Sequence, residues 1–372
     1  MANLVLYRKY RPQTFADIVG QENVVQTLTN AIVSEMVSHA YLFSGPRGSG
    51  KTTIARILAK AVNCQNRKKG EYEPCNKCLS CLEIAEARSI DLIEIDAASN
   101  RGIDEMRELK ENIRFVPSKS KYKVFIIDEA HQLTKEAANA LLKTLEEPPG
   151  HAIFILATTE IHKMISTIVS RCQRFNFRRL TVSEIIKKLE FICGKEKIKI
   201  DKEVLNFIAF NSSGSIRDAE SLLDQALVWS GRDREVKIEE VKTLLGIVDL
   251  NIISQLVDFI SEDRKDKAID FLGEIIDKGK DPQEFIKTLI FYCRQLLLFK
   301  VCNDDKLNIA FTKEEKEKLK EQALVFEEEK IHYFLKLFLD AENKIKYASI
   351  PQLPLELAII EAIEKKENNT IN

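Results

Sequence analysis

The fold of this chain is decided by the stretch Gly45-Pro46-Arg47-Gly48-Ser49-Gly50-Lys51-Thr52, which fits the pattern G-x-x-x-x-G-K-[ST] in full. The stretch follows an apolar run that predicts a strand, and it opens a helical pattern. Glycines let successive backbone N–H groups point inward, and the helix N-terminus adds partial positive charge. A chance glycine-rich turn is the alternative, and the strand-and-helix context argues against it.

The pattern therefore predicts a phosphate-binding loop for ATP. In such a loop Lys51 reaches the outer phosphates, and the hydroxyl of Thr52 binds Mg²⁺. We expect the nucleotide to be held by Gly45, Pro46, Arg47, Gly48, Ser49, Gly50, Lys51, Thr52 and Thr53.

A second candidate site, which is acidic, follows further along the chain, where the apolar run Val124–Ile127 is followed by Asp128 and Glu129. We expect Asp128 to hold the Mg²⁺ shell and Glu129 to orient and deprotonate the attacking water. A solvated turn is the alternative for two adjacent carboxylates. The letters Asp-Glu-Ala-His also occur in a helicase class, but that motor needs a second α/β domain, and the later sequence is helical.

Four apolar runs predict buried strands in the α/β part: Ala40–Phe43, Asp91–Ile95, Lys123–Ile127 and Ala152–Leu156. Near-continuous apolar runs separated by helical patterns are typical of a parallel sheet covered by helices on both faces. Between the last two runs, apolar residues recur at helical spacing, and Pro148-Pro149-Gly150 ends that helix. The fold class predicted is an α/β P-loop NTPase.

The helical patterns divide the rest of the chain. We place the α/β domain at residues 1–178, a small helical domain at 179–243, a third and wholly helical domain at 244–366, and a polar tail at 367–372. A capping box that starts at Thr181 and the pair Asp281-Pro282 mark helix starts in the second and third domains.

Composition narrows the classes of function. The 372 residues include 56 basic and 57 acidic side chains, for a net charge of -1, whereas a protein that coats nucleic acid is usually strongly basic. Any DNA contact would therefore be local. The sequence has no apolar run long enough to span a membrane and no signal-peptide pattern at its start, so we expect a cytoplasmic protein.

Four of the eight cysteines, Cys64, Cys75, Cys78 and Cys81, have the spacing C-x10-C-x2-C-x2-C. Four thiolates suit tetrahedral Zn²⁺ in a closed, structural site at residues 64–81. An iron–sulfur cluster and ordinary free thiols remain alternatives, although the polar segment between the first two cysteines favours a zinc finger-like loop. The other cysteines are scattered along the chain.

Several longer motifs occur together: Tyr10-Arg11-Pro12-Gln13-Thr14-Phe15, Val19-Gly20-Gln21, His39–Phe43, the phosphate loop, Leu141–Pro149 and Ser170-Arg171-Cys172. In this combination the chain resembles the gamma/tau subunits of bacterial DNA polymerase III, from about residue 4 to the end of the third domain. The resemblance implies an AAA+ ATPase whose small helical domain is a lid and whose third domain is an oligomerising collar. It also implies an enzyme that hydrolyses ATP to load a sliding clamp and does not itself polymerise DNA.

The resemblance also implies residue roles. An arginine at position 171 could pair with an acid of its own subunit, but the family uses it in trans, on ATP bound to the neighbouring subunit. Thr159, or its neighbour Thr158, matches the sensor of the γ-phosphate, and Arg217 matches a second sensor on the lid. The adenine pocket is expected at Arg11, Pro12 and Val19, with a packed N-terminal arm as the alternative. The family carries a zinc module at the same place, although the first cysteine gap here is longer than expected.

The expected partners are other clamp-loader subunits and copies of this chain in a ring, the sliding clamp and primer–template DNA, with no membrane. For DNA phosphates we predict contacts from Ser99, Asn100 and Arg101, which precede a helical run. Plain helix capping is the alternative for these three residues.

Two rivals remain at this stage. Another AAA+ DNA motor, such as a branch-migration subunit or an archaeal-type small subunit, would not be expected to carry the cysteine insert. A non-hydrolysing stator subunit would lack a working phosphate loop. The complete set of Lys51, Thr52, Asp128 and Glu129 favours the motor.

Overall fold

The computed structural model describes residues 4–99, 111–231, 236–238, 240–241, 249–302 and 313–364. The chain forms two compact units: Met1–Lys199 with Ile208–Gln225, and Ile200–Phe207 with Ala226–Asn372. The predicted three-domain division stays a prediction.

The first unit contains a five-stranded sheet and most of its surrounding helices. Its strands are β1 (Ala40–Ser44), β2 (Leu92–Asp96), β3 (Lys123–Asp128), β4 (Ala152–Thr158) and β5 (Gln173–Asn176). The helices from the N-terminus are α1 (Leu6–Lys9), α2 (Glu22–Val33), α3 (Lys51–Asn63), α4 (Leu79–Ala85), α5 (Lys135–Glu146), α6 (Ser166–Val169), α7 (Val182–Glu196), α8 (Lys202–Asn211) and α9 (Ile216–Ser230). The last two helices have residues in both units.

All five strands are parallel, in the order β2-β3-β4-β1-β5. The four predicted strands are confirmed, and β5 was missed because its sequence, Gln-Arg-Phe-Asn, offers one apolar residue on a largely exposed edge. The prediction that the second run, now β2, is a buried strand was wrong. None of its described residues is fully buried, because β2 is the other edge of the sheet.

Helices cover the sheet on both faces, as predicted. One apolar cluster joins α2 and α3 to alternate residues of the central strands, including Tyr41, Phe43 and Ile155. The opposite cluster joins α5 to the residues in between, including Leu42 and Phe154. Since strand side chains alternate between faces, the continuous apolar runs serve both clusters at once.

Helix starts agree with the capping signals. Thr181 accepts a hydrogen bond from the N–H of Glu184, whose carboxylate returns to the N–H of Thr181, so the capping box is present. At α5, Thr134 accepts from the N–H of Ala137, and the helix ends at Glu146 before the two prolines.

The second unit is helical in the residues that the structure describes, apart from turns and one isolated bridge between Ile200 and Val236. Its remaining helices are α10 (Leu250–Ser261), α11 (Lys265–Asp277), α12 (Pro282–Cys302), α13 (Lys313–Val325), α14 (Glu328–Ile345) and α15 (Leu353–Glu364). They enclose one large apolar core. None of the described helices combines the length and apolar character needed to cross a bilayer.

Candidate functional site

The phosphate loop, the acidic pair and the threonine pair meet at the carboxyl ends of the three central strands. The phosphate loop follows β1, Asp128 ends β3, and Thr158 ends β4, which lies between the other two strands. Because the strands are parallel, their carboxyl ends lie side by side. The register places Ser44 of β1 opposite Thr158 of β4.

Backbone geometry explains the glycines of the phosphate loop. Gly48 and Gly50 have φ values of 73° and 96°, in the left-handed region that favours glycine. A Cβ on Gly48 would also collide with the side chain of Ser215, at the start of α9. The loop therefore needs glycine both for its curl and for close contact with the helix that carries Arg217.

Lys51 and Thr52 begin α3 and face the loop and the acidic strand end. The ammonium of Lys51 donates to the carbonyls of Gly45 and Pro46, at 2.8 and 2.9 Å. Burial lowers the pKa of Lys51, while the nearby charges of Glu129 and Asp128 oppose that shift. The hydroxyl of Thr52 donates to Asp128 Oδ2 at 2.7 Å, so two oxygens of the kind that Mg²⁺ prefers are adjacent.

Glu129 lies in a backbone conformation that is uncommon for its residue type, with φ 46° and ψ 44°. Its Oε2 accepts from the hydroxyl of Thr159 at 2.9 Å and from the N–H of Thr159 at 3.3 Å. The neighbouring Thr158 is fully buried, and its hydroxyl lies 3.0 Å from His131 Nδ1. Of the two threonines proposed as the sensor, Thr159 is therefore the one that contacts Glu129.

A cavity of about 810 Å³ in the first unit contains most of the predicted nucleotide site. Its walls include these predicted residues: Arg11, Pro12, Val19, Arg47, Gly48, Ser49, Gly50, Lys51, Thr52, Thr53, Asp128, Glu129 and Arg217. Gly45 and Pro46 are instead the carbonyl partners of Lys51. The structure thus brings together the phosphate loop, the two acids and the proposed adenine wall.

The predicted adenine wall is tied to the phosphate loop and to a residue that was not predicted. Arg11 Nε donates to Thr53 Oγ1 at 3.2 Å, and burial is the main cause that lowers the pKa of Arg11 to about 10. The guanidinium of Arg217 lies 5.1 Å from the ring centroid of Tyr7. That cation–π contact joins the N-terminal arm to α9.

Sequence reasoning gave no role to Gln21, although it quoted the motif that contains it. Gln21 is 3% exposed, and its side-chain amide donates to the carbonyls of Ser49 and Arg178 at 3.3 and 2.7 Å. It also accepts from the N–H of Arg178. Gln21 therefore fastens the phosphate loop to the segment before α7, a link that the motif alone does not indicate.

The charged residues Lys188 on α7 and Glu220 on α9 also line the cavity, and neither was predicted. Glu220 is 5% exposed, and its burial raises the pKa of its carboxyl to about 7, against the opposing effect of Lys188. Glu220 lies one helical turn after Ile216, so the face of α9 that begins at Ile216 reaches the cavity. No motif marks either residue.

Arg171 does not lie among the described residues that line this cavity. Its guanidinium is 2.5 Å from Glu146 and donates to the carbonyl of Thr167 at 2.7 Å. Within one chain it therefore forms the ion pair that sequence reasoning kept as the alternative. The pair is partly exposed, and such surface pairs contribute at most about 1 kcal/mol, so Glu146 is an exchangeable partner.

The four clustered cysteines come together at the end of α3. The Sγ atoms of Cys64, Cys75, Cys78 and Cys81 all lie within 4.8 Å of one another. A zinc–sulfur bond of about 2.3 Å in a tetrahedron requires sulfur atoms about 3.8 Å apart, so the donor set fits. Backbone N–H groups already point at the sulfurs, with Cys75 Sγ accepting from Lys77 and Cys78.

The pKa shifts of the thiols differ in direction within the cluster. Burial acts to raise the pKa of Cys75, but the N–H groups of Lys77 and Cys78 lower it to about 6. Burial raises the pKa of Cys81 and Cys64. A metal held by all four sulfurs would leave no ligand position for substrate, so such a centre would be structural.

The predicted DNA contacts are only partly described. Ser99 donates from its hydroxyl to Asp96 Oδ2 at 2.8 Å, which is a local turn contact. Asn100 and Arg101 lie outside the described residues. The DNA contacts stay a prediction.

Comparison with known protein families gives three consecutive matches. The family "DNA polymerase III, delta subunit" matches residues 20–181, the ATPase lid domain of the DNA polymerase III clamp loader subunit matches 184–232, and domain III of the DNA polymerase III subunits gamma and tau matches 236–370. Together they cover nearly the whole chain.

Two sequence relatives agree with those families. The chain is 42% identical to DNA polymerase III subunit tau of Bacillus subtilis, over 97% of this chain and 63% of that protein. It is 35% identical to DNA polymerase III subunit gamma of Buchnera aphidicola, over 96% of this chain and 98% of that protein. A solved structure of the Thermotoga maritima RuvB branch migration motor is 19% identical, with a TM-score of 0.48 over 68% of this chain and 79% of that one.

Proposed function

Since the chain belongs to the family of DNA polymerase III gamma and tau subunits, we propose that it is an ATP-hydrolysing motor subunit of a clamp loader. The observation that carries the proposal is the cavity in which Lys51, Thr52, Asp128 and Glu129 converge. The chain spans less than two thirds of the tau relative, so the activity, substrates and partners remain proposals for this chain.

The phosphates of ATP bind at the start of α3. The backbone N–H groups of the phosphate loop and the N-terminus of α3 favour negative charge there, and Lys51 turns its ammonium from the loop carbonyls to the outer phosphates. Thr52 and Asp128 are the residues that would hold Mg²⁺, which supplies charge neutralisation on the phosphates when bound.

Glu129 positions and deprotonates the attacking water. Its carboxylate accepts hydrogen bonds from Thr159, which fixes one oxygen and leaves the other free to accept the proton of the water. Thr159 directly follows β4, the strand that pairs with β1, which leads into the phosphate loop. A hydrogen bond from its side chain can therefore respond to the γ-phosphate.

Arg171 acts on a neighbouring subunit. Its position outside the described cavity walls supports a role in trans, and its exposed pair with Glu146 is weak enough to be exchanged for a phosphate. Arg217 acts from within the chain as the second sensor, because it lines the same cavity from α9. ATP binding in the ring then opens and holds the clamp, and hydrolysis releases it on primer–template DNA.

The remaining parts of the chain have supporting roles in this proposal. The four cysteines hold a structural Zn²⁺, residues 179–243 are the lid, and residues 244–366 form the collar that keeps the ring together. The DNA phosphates are contacted by Ser99, Asn100 and Arg101. A replication role places the protein in the cytoplasm.

A stator subunit is the second candidate, because a delta-subunit family matches residues 20–181. A stator does not need a cavity with a lysine, a paired threonine and aspartate, and a positioned glutamate. The described site has all of these, so the motor is the better-supported function.

The test is ATP turnover by the chain assembled with its ring partners, clamp and primed template. We expect turnover that clamp and DNA stimulate, that Lys51→Ala abolishes, and that Arg171→Ala lowers at least about a hundredfold. Arg174→Ala, on β5, is the matched control and should leave turnover unchanged. A ring that loads clamps while this chain hydrolyses nothing would establish the stator instead.

A further inference from the structure

The loop between the first two cysteines makes contacts that metal binding does not require. Its residues Tyr72 and Glu73 reach back to the segment Gln13–Ala16, which lies far away in the sequence, near the N-terminus. A loop that served only to present thiols would not need such partners. These contacts are the starting point of the inference.

Glu73 is bound to two consecutive backbone amides. Its Oε2 accepts from the N–H of Phe15 and its Oε1 from the N–H of Ala16, both at 2.9 Å. A carboxylate that accepts from two adjacent amides forms charge-assisted hydrogen bonds, which are stronger than neutral ones. The ring of Tyr72 packs beside Phe15, with centroids 6.5 Å apart, and Phe15 is 2% exposed.

Helix α3 holds the same segment from the other side. Lys60, which is 2% exposed, donates to the main-chain and side-chain oxygens of Gln13, at 3.0 and 2.9 Å. This helix runs from the phosphate loop to Cys64, the first metal ligand. The segment is thus clamped between α3 and the loop that follows Cys64.

The clamped segment is part of the wall of the nucleotide cavity. Its first residue, Gln13, lines that cavity, and so do the residues before and after the segment: Arg11 and Pro12 on one side, and Asp17, Ile18 and Val19 on the other. A shift of Phe15 and Ala16 would therefore move both stretches of the wall. The apolar members, Ile18 and Val19, are suited to the nucleoside rather than to the phosphates.

Glu73 depends on the metal module for its position. It lies two residues before Cys75, inside the segment that a metal bound to all four thiolates would close. Without that cross-link, the backbone of this loop has more conformations available, and ordering Glu73 costs more.

We infer that the four-cysteine module positions the nucleoside wall of the cavity through Glu73, so that metal in the module raises the affinity for adenine nucleotide. The inference rests on the proposed ATP site, but it concerns only how that site is shaped. Glu73 is a positioning residue here, since it touches neither substrate nor metal.

The test compares Glu73→Ala with Glu71→Ala. Glu71 lies in the same loop, and within the described part of the chain its carboxylate accepts a hydrogen bond only from the N–H of Lys68, so it is a matched control. We expect Glu73→Ala to bind a fluorescent ADP analogue about three- to tenfold more weakly. It should keep its metal and its kcat at saturating ATP, so that the loss appears in KM. Glu73→Gln retains one acceptor oxygen and should lose less affinity.

Chelation provides the second arm. Removing the metal should weaken nucleotide binding in the wild type and in Glu71→Ala by the same factor, and by less in Glu73→Ala. Unchanged affinity in metal-bearing Glu73→Ala, or metal loss caused by that substitution, would overturn the inference. A wild-type chain that binds no nucleotide at all would instead contradict the proposed function.

Discussion

Helix α3 carries chemistry at both of its ends, and the two ends are built differently. At its N-terminus, Thr52 is hydrogen-bonded to Asp128, which is 76 positions away in the chain, and Thr159, just after β4, completes that site. At its C-terminus, Cys64 meets three further cysteines that all lie within the next 17 residues. The nucleotide end therefore depends on the sheet, whereas the thiol end depends on one short loop.

Because of this difference, substitutions at the two ends of α3 should change different properties of the protein. At the nucleotide end, the positions are held by a packed sheet, so removing one functional group should change rate and leave the fold intact. At the thiol end, one short loop brings the ligands together, so removing one ligand should change metal content and local stability.

Among the substitutions that compare the two ends of α3, Glu129→Gln should have the largest effect. The amide cannot take a proton from water, so kcat in the assembled ring should fall by about 10²–10⁴ while nucleotide affinity is retained. Steady-state turnover and binding of a fluorescent nucleotide measure the two quantities. Glu160→Gln changes a nearby acid that pairs with Lys163, and it serves as the control. Near-normal turnover in Glu129→Gln would show that Glu129 is not the general base.

At the opposite end of α3, Cys81→Ser should reduce bound zinc from about one ion per chain to almost none. Metal analysis and the melting temperature measure the effect, and kcat at saturating ATP should change far less. The exposed thiol of Cys302 lies outside the cluster, so Cys302→Ser should keep its metal. Full metal content in Cys81→Ser would show that the four thiols do not form the site.

Glu220 lines the nucleotide cavity, although no sequence motif marks it, and its titration can be tested. Burial raises the pKa of its carboxyl to about 7 from a usual 4.5, so the folded chain keeps this proton at pH values where the unfolded chain has lost it. Ionisation of Glu220 thus costs stability as the pH rises from about 4.5 through 7.

Glu220→Gln should therefore be more stable than the wild type at pH 8, on the order of 2 kcal/mol, and the gap should close by pH 4.5. Calorimetric unfolding at the two pH values checks this sign. A gap that is independent of pH would mean that Glu220 is not neutral in the folded chain.

The smallest effect is expected for Thr159→Val, which removes the hydroxyl that donates to Glu129. One hydrogen bond contributes about 1 kcal/mol, so kcat should fall about fivefold to tenfold. Thr158→Val is the contrast, because its hydroxyl contacts His131 and not Glu129. A larger loss of kcat in Thr158→Val than in Thr159→Val would assign the sensor to Thr158.

The features that the sequence predicted correctly are those that depend on residues close together in the chain. The four apolar strands, the capping box at Thr181 and the phosphate loop were predictable because each is encoded by neighbouring residues. Strand β5 was not, since a polar edge strand lacks the pattern that burial imposes. Strand β2 was wrongly predicted to be buried, because an apolar run does not indicate whether its strand lies at the centre or the edge of the sheet.

The amino-acid sequence by itself determined the contiguous chemistry of this chain: the phosphate loop, the acids that end β3 and the four spaced cysteines. A strand, a turn and a helix N-terminus suffice to cradle phosphate, and one loop suffices to gather thiols. Only the tertiary structure decided which distant side chains complete each site. Gln21 under the phosphate loop, Tyr7 against Arg217, buried Glu220, and Glu73 on the amides of Phe15 and Ala16 all depend on how separate elements pack.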